Sequence, residues 1–138
     1  MFDHCLYFNT TALARLLERL WSEAFRGFEL TPPQAFLLRA ILERPGLSQR
    51  ELADLMTIAR PTATRCLDGL QARGLIERRT SEIDGREQLV FPTHAAQAMK
   101  KELNAASAAV TRRLERQLGN DNFEQTVGRI RKVRDSLE

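Results

Sequence analysis

Apolar residues recur at helical spacing through the first part of the chain. Between Asn9 and Phe25 they fall three or four positions apart, which places them along one stripe of a helix. Two further helices are predicted from capping boxes, in which a Thr or Ser caps the helix and a Gln or Glu three positions later returns a hydrogen bond. Thr31 begins a helix that runs to about Glu43, and Ser48 begins a shorter one. The chain is therefore predicted to begin with three helices.

Proline, glycine and a turn signal divide the middle of the chain. Arg60 and Pro61 open a fourth helix, because proline is favoured in a first helical turn, and Gly74 ends it. Two short strands over 75–79 and 88–91 then flank a polar tip that contains an Asp-Gly turn signal. The pattern therefore predicts a β-hairpin directly after the fourth helix.

The two ends of the chain carry more apolar surface than one copy can cover. A long helix over 93–118 is rich in alanine, and a last helix from about Asn120 repeats its apolar residues at near-heptad spacing. A second copy related by a two-fold axis would cover these surfaces and the stripe of the first helix. We therefore expect a homodimer whose dimerisation helices lie within 9–26 and 93–138.

The third and fourth helices predict a helix-turn-helix. They are joined by three residues, 57–59, too few to let the helices lie parallel. The second helix of such a unit enters the DNA major groove with its N-terminus first. Helical angles of about 100° per residue put Ala63, Cys66 and Leu67 on a buried face. The opposite face carries Pro61, Arg65 and Asp68, with Thr62 and Thr64 on its flanks. The hydroxyl groups and the Arg of this face suit a helix that reads the groove.

A basic hairpin follows the fourth helix. Arg78, Arg79 and Arg86 bring three guanidinium groups to it. A wing of this kind can lay its tip beside the minor groove, where Arg meets concentrated negative potential. Arg86, next to flexible Gly85, is the residue placed to reach DNA, whereas Asp84 is expected to pair with a nearby Arg and hold the wing in shape. The alternative is a charged turn that only faces solvent.

Three stretches of the sequence resemble one protein family. They are similar to the MarR family of bacterial winged-helix regulators and read LTPPQAFLLRAI, PGLSQRELADLMTIARPTATRCLDGLQARGLIERR and DGRE. The resemblance implies a mainly α fold with a small β-wing, organised as one domain over 1–138. Within this domain, a winged helix-turn-helix part over 30–92 is flanked by the dimerisation helices.

The resemblance also implies a function and a set of site residues. MarR-family proteins are obligate dimers that usually repress transcription until a small molecule or an oxidant loosens them. For a two-fold dimer, the expected partner is double-stranded DNA with a pseudo-palindromic operator. The candidate DNA-binding residues are Ser48, Arg60, Pro61, Thr62, Thr64, Arg65, Arg78, Arg79, Asp84 and Arg86.

Composition and charge agree with this interpretation. The 138 residues fit one domain, and 21 basic against 18 acidic residues give a net charge of +3. Eighteen of the basic residues are Arg, which binds phosphate and guanine through paired hydrogen bonds. The longest uncharged stretch, 88–99, is too short to span a membrane, and the N-terminus lacks the apolar run of a signal peptide. We expect a cytoplasmic protein that does not bind membranes.

Two groups of residues are candidates for regulation. Some MarR-family proteins sense peroxides through a Cys near the first helix that Tyr hydroxyls activate, but Tyr7 beside Cys5 is the single Tyr of the chain. We therefore favour Cys5 as a small apolar residue at the dimer interface. Trp21 and Phe25, with neighbouring aromatics, could line an effector pocket, although aromatics at helical spacing are more often core. We expect a small apolar or aromatic effector where the first helix meets the winged part.

Motifs for other chemistry are not found in the sequence. His4, Cys5, Cys66 and His94 have no zinc-ligand spacing, and no phosphate-binding loop or catalytic triad motif is present. We expect no metal, no cofactor and no enzyme activity. Two alternatives remain open, a redox-sensing regulator that uses Cys5 and a winged-helix protein-interaction module without DNA binding. The second should have lost Arg65 and Arg86, and both are present.

Overall fold

Six α-helices and one two-stranded antiparallel sheet make up the chain, in a computed structural model that describes all 138 residues. In chain order they are α1 Leu6–Phe25, α2 Pro32–Glu43, α3 Gln49–Met56, α4 Arg60–Ala72, β1 Ile76–Thr80, β2 Gln88–Pro92, α5 His94–Leu118 and α6 Asn120–Leu137. The predicted element order and the predicted fold class, mainly α with a small β-wing, are both confirmed. None of the helices has the length and apolar character that crossing a membrane requires.

The first helix starts earlier than the sequence pattern predicted. α1 begins at Leu6 rather than at Asn9, and Cys5 is its N-cap. The Sγ atom of Cys5 accepts a hydrogen bond from the backbone N–H of Phe8 at 3.5 Å. The side-chain amide of Asn9 donates to the carbonyl of Cys5 at 2.9 Å. Cysteine is not among the usual capping residues, so the sequence carried no signal for this extra turn.

A 3-10 turn over Arg26–Phe28 follows α1 and separates it from α2. The next residue, Glu29, takes a left-handed backbone conformation with φ of 56°. The guanidinium of Arg73, at the end of α4, donates to the carbonyls of Phe28 and Glu29 at 2.9 and 2.7 Å. These hydrogen bonds tie the turn to the C-terminal end of α4.

The next two helices begin where the capping boxes predicted. Thr31 and Gln34 exchange both reciprocal hydrogen bonds at the start of α2, and Ser48 and Glu51 do the same for α3. Each box satisfies backbone N–H groups that have no partner inside the helix. The entry points of both helices are therefore determined by local sequence.

The hydrophobic core is centred on α2, which packs against α1, α3, α4, α5 and β2. All of these elements supply large, fully buried side chains: Phe25, Leu37, Leu38, Ile41, Leu52, Leu67, Leu70, Val90 and Leu103. The predicted buried face of α4 is confirmed, with Cys66 half-buried at its edge. Burial raises the pKa of the Cys66 thiol, against an opposing effect of the Arg65 charge, so this thiol packs as an uncharged group.

A polar cluster connects the terminal helices to the winged part, and we call it the Ser107 junction (Trp21, Arg39, Asn104 and Ser107). Ser107 on α5 is buried, and its Oγ accepts hydrogen bonds from the indole N–H of Trp21 on α1 and from the guanidinium of Arg39 on α2, each at 3.0 Å. Arg39 also donates from Nε to Asn104 at 2.7 Å. Burial lowers the pKa of Arg39 from its ordinary, very high value.

The terminal helices leave long apolar surfaces uncovered. α6 packs on α5 and has no buried residue, and the N-terminal half of α1 faces solvent. The exposed apolar side chains of these helices are Leu6, Tyr7, Phe8, Leu13, Leu16, Leu118, Val127, Ile130, Val133 and Leu137. All of them except Leu6, Tyr7 and Phe8 lie within the segments 9–26 and 93–138, which are predicted to form the dimer.

Candidate nucleic-acid interface

The helix-turn-helix is closed by a turn with an uncommon backbone. Thr57, the C-cap of α3, has a left-handed φ of 55°, a conformation that β-branched residues rarely adopt. Its N–H donates to the carbonyl of Asp54 at 3.1 Å, and the N–H of Ile58 donates to that of Ala53 at 3.0 Å. These bonds reverse the chain within three residues, so that α4 begins at Arg60.

The N-terminal end of α4 has no side-chain cap. Its N-cap residue is Ala59, which offers no side-chain acceptor, and Pro61 in the first turn has no N–H to donate. The N–H groups of Arg60 and Thr62 thus lack a partner within the helix. Such a helix end, with its positive dipole, favours an anion such as a DNA phosphate.

The structure places the predicted start of the recognition helix at the surface. Arg60, Pro61, Thr64 and Arg65 are exposed, and Thr62 is half-buried. The guanidinium groups of Arg60 and Arg65 form no ion pair within the chain. The Thr64 hydroxyl donates to the carbonyl of Arg60 at 3.0 Å and keeps its oxygen available as an acceptor. Both cations can therefore bind an external acceptor.

The wing is a regular hairpin whose tip is closed by main-chain hydrogen bonds. The N–H of Ser81 donates to the carbonyl of Glu87 at 2.9 Å, and the N–H of Glu87 donates to that of Asp84 at 3.0 Å. The Asp84 carboxylate accepts the backbone N–H of Arg86 at 3.0 Å. Asp84 therefore shapes the wing, but through a backbone amide and not through the Arg side chain that was expected. The guanidinium of Arg86 is exposed and without a partner in the chain.

Arg78 points inward, and we remove it from the candidate DNA surface. It lies opposite the buried Val90 in the hairpin, and its side chain is 17% exposed. Its guanidinium donates to the Asp68 carboxylate at 2.8 Å and to the carbonyl of Thr64 at 3.4 Å. The Nε atom is buried with no partner. Arg78 thus joins β1 to the exposed side of α4, a tertiary contact that the sequence did not indicate.

Arg79 is also engaged within the hairpin. Its guanidinium pairs with the Glu77 carboxylate at 2.6 Å and stacks over the ring of Phe91, with 4.2 Å between the guanidinium carbon and the ring centroid. The side chain remains 61% exposed, so a DNA contact by Arg79 stays a prediction. Of the three wing arginines, Arg86 alone has a free guanidinium.

Ser48 is likewise removed from the candidate DNA surface. Its residue is only 2% exposed, and its hydroxyl accepts the N–H of Glu51 at 3.1 Å as the cap of α3. Its backbone also forms an isolated bridge with Leu89 of β2. Ser48 therefore fixes where α3 starts relative to the wing.

A polar cleft lies between α3, α4 and the wing, with a volume of about 500 Å³. None of its lining residues is apolar, and they are Ser48, Gln49, Arg50, Arg60, Thr64, Asp84, Arg86, Glu87 and Gln88. Three guanidinium groups and two carboxylates therefore face one space. Sequence reasoning missed four of these residues, Gln49, Arg50, Glu87 and Gln88. The signal for Arg50 was a cation in the first turn of the helix that precedes the recognition helix.

A separate apolar groove of about 410 Å³ lies where α1 meets the winged part. An effector at this place stays a prediction. The lining of the groove includes Trp21, Pro32, Pro33, Phe36, Met56 and Ile58. The position of Phe25 differs from the predicted one. Phe25 is fully buried and packs against the Phe36 ring behind the groove, with 6.0 Å between the ring centroids. Phe25 is therefore a core residue and not a lining residue.

The two N-terminal candidates for redox sensing do not line this groove. Cys5 is exposed and serves as the cap of α1, and Tyr7 is 78% exposed. The Tyr7 hydroxyl forms no hydrogen bond to Cys5, whose Sγ is bonded to the Phe8 N–H. No three His, Cys, Asp or Glu side chains converge anywhere as a metal site would require.

Comparison with known proteins is consistent with this geometry. The family model described as MarR family matches residues 30–88, from the end of the first linker to the first residue of β2. Residues 30–88 form a MarR-family domain. Two relatives are HTH-type transcriptional regulators of Bacillus subtilis strain 168 whose names call them uncharacterised. YybA is 32% identical over 81 residues, 59% of this chain and 54% of that protein, and YwoH is 31% identical over 91 residues, 66% of each. The chain thus spans about half to two thirds of the length of these relatives.

Solved structures share the fold over the whole length of the chain. The transcriptional repressor CouR, bound to a 23-mer DNA duplex, has a TM-score of 0.87 at 25% identity and covers 96% of this chain and 94% of its own. PcaV of Streptomyces coelicolor, in complex with its natural ligand, has a TM-score of 0.81 at 26% identity over 100% of both chains. The MepR–DNA complex of S. aureus has a TM-score of 0.88 at 19% identity, covers 99% and 100%, and supports the MarR fold alone.

The inward position of Arg78 can be tested by stability. Arg78→Ala should lower the free energy of unfolding by about 1–3 kcal/mol, because the Asp68 carboxylate and a carbonyl of α4 lose a charged donor. Arg79→Ala is the matched control and should cost about 1 kcal/mol or less, because its ion pair is exposed. Urea unfolding of both variants measures the difference, and equal losses would contradict the assigned position.

Proposed function

We propose that this chain is a homodimeric, sequence-specific DNA-binding transcriptional regulator that represses its target genes and is released by a small-molecule effector. The observation that carries the proposal is that three cations of α4 and the wing tip have no partner in the chain, two of which, Arg60 and Arg86, line the polar cleft. Arg60 and Arg65 on α4 and Arg86 at the wing tip are exposed, and none has a carboxylate partner in the chain. The MarR-family domain over 30–88 supports the same function.

In the proposed complex, α4 lies in the major groove and the wing beside the minor groove. The uncapped first turn of α4 and the Thr64 hydroxyl suit phosphate oxygens, while the Arg65 guanidinium can bind the O6 and N7 atoms of a guanine. Arg86 suits the negative potential of a narrow minor groove. The DNA-bound structure of CouR supports this arrangement for a related fold.

The proposed dimer follows from the uncovered apolar surfaces of α1, α5 and α6. A two-fold pairing would bury them and would set the two recognition helices about one helical turn of DNA apart, roughly 34 Å. The expected operator is therefore pseudo-palindromic, with two half-sites in successive major grooves.

The proposed effector is a small apolar or aromatic molecule in the groove between α1 and the winged part. Trp21 and Phe36 offer it ring surfaces 6.4 Å apart between centroids. Occupation of the groove would change how α1 sits on α2, and thereby the spacing of the two recognition helices in the dimer. That PcaV was solved with its natural ligand supports ligand control in a similar protein.

Two alternatives are less well supported. A winged-helix module that only binds proteins would have no need for free guanidinium groups on both α4 and the wing tip. A Cys5 redox switch would need an activating partner, and the thiol has only a backbone N–H as its hydrogen-bond partner.

Arg65→Ala and Arg86→Ala should weaken DNA binding in different ways. Arg65→Ala should cost about 1–3 kcal/mol on a duplex selected from a random library and relax specificity at one base position. Arg86→Ala should weaken binding to many sequences and reduce the salt slope by about one. Fluorescence anisotropy on selected and random duplexes checks both, with the exposed Arg112→Ala on α5 as control. Equal loss on both duplexes for Arg65→Ala would mean that it only holds phosphate.

The dimer should be broken by a charge placed on α6. Ile130 is 51% exposed in the single chain, and Ile130→Asp should shift the protein toward the 15.8 kDa monomer at micromolar concentration. Ile83→Asp introduces the same charge on the fully exposed wing tip and should leave the dimer intact. Size-exclusion chromatography with light scattering distinguishes them. A wild-type chain that elutes as a stable monomer would refute the dimer.

Oxidation should not release the DNA through Cys5. Wild type and Cys5→Ser are expected to keep the same affinity for a selected duplex after treatment with low concentrations of peroxide, because the thiol lacks an activating side chain. Gel shifts of both proteins in parallel provide the measurement. If wild type dissociates and Cys5→Ser stays bound, the redox alternative is correct.

A further inference from the structure

An ion pair crosses the polar cleft from the helix-turn-helix to the wing. The guanidinium of Arg50, in the first turn of α3, lies 3.0 Å from the carboxylate of Glu87, just before β2. Their side chains are 58% and 29% exposed, so the acid is the more enclosed partner. This pair belongs to the same cleft as the free cations Arg60 and Arg86.

The wing does not need this pair to hold its position. The backbone of Glu87 is fixed by bonds to Ser81 and Asp84, and the wing is joined to the segment before α3 by the bond from the Val90 N–H to the Leu47 carbonyl at 2.9 Å. An exposed ion pair adds little stability to such a frame. A role other than structural support is therefore open to the two side chains.

The two carboxylates of the cleft act differently on its charge. Asp84 binds a backbone N–H and leaves the Arg86 guanidinium free. Glu87 instead neutralises Arg50, a cation that would otherwise add to the positive surface beside the start of α4. A DNA phosphate in this cleft would compete with the Glu87 carboxylate for the same guanidinium.

We infer that Arg50 is a phosphate-binding residue whose positive charge is neutralised by its ion pair with Glu87. Glu87 thereby limits the sequence-independent part of the DNA affinity. The inference rests on the proposed function. Each guanidinium that neutralises a phosphate releases counterions and steepens the salt dependence of binding. With Glu87 present, Arg50 and the acid contribute no net charge to the interface. The complex must therefore depend more on base contacts such as that proposed for Arg65, which favours specific over random sites.

The test is binding of a labelled duplex of random sequence, about 30 base pairs long, from 50 to 200 mM salt. Glu87→Gln keeps the size and polarity of the side chain but frees Arg50. It should tighten binding at 50 mM about 3- to 10-fold and steepen the slope of log affinity against log salt by about 0.9. Arg50→Ala should do the opposite. Glu102→Gln on α5 removes the same charge from an exposed, unpaired acid outside the cleft and should change affinity less than about 2-fold.

The results distinguish a failure of the inference about Glu87 from a failure of the proposed DNA-binding function. Unchanged or weaker binding by Glu87→Gln would overturn the inference, as would an equal gain from Glu102→Gln, which would indicate general charge alone. If wild type binds no duplex at any salt concentration, the proposed function fails and the inference with it. The thermal unfolding temperature of each variant should lie within a few degrees of that of wild type. The DNA affinity of Arg50→Ala tests the role of Arg50 without a substitution at Glu87.

Discussion

The hydroxyl of Ser107 receives hydrogen bonds from two other helices at once, and the relation between the two halves of the molecule depends on it. Trp21 brings α1 to this point and Arg39 brings α2, while Ser107 itself belongs to α5. α2 in turn supports α4 through the core. A buried hydroxyl that serves two donors cannot move away from one of them without leaving a polar group unsatisfied. The helices at the ends of the chain and the winged part are therefore connected by directional bonds as well as by apolar packing.

The distribution of arginine explains how a chain with a net charge of only +3 can present a basic surface. Arg39, Arg73 and Arg78 are used inside the fold, where they bind a hydroxyl, carbonyls and a carboxylate. Others remain free at α4 and at the wing tip. Guanidinium groups suit both uses, since they stay charged when half-buried and donate several hydrogen bonds in fixed directions. What matters for recognition is thus which cations the fold leaves without a partner, more than how many the chain contains.

Local signals in the sequence predicted most of the fold. The capping boxes at Thr31 and Ser48 and the apolar spacing of α4 were enough to place helices and faces, because each depends on residues within a few positions. The site was predicted less completely. The inward turn of Arg78, the burial of Phe25 and the Arg50–Glu87 pair arise between elements distant in sequence. A single sequence holds no local pattern for such contacts, and a cysteine used as a helix cap follows no common preference.

The missing cap of α4 has a consequence for the motion of the free protein. Helix ends without side-chain acceptors open readily, so the turn at Arg60 and Thr62 belongs among the least protected parts of the helix against amide exchange. On the proposed function, a phosphate would supply the acceptor that Ala59 lacks and would order this turn on contact. Part of the binding free energy would then go into ordering this turn, and the bound phosphate would complete the hydrogen bonding at the start of α4.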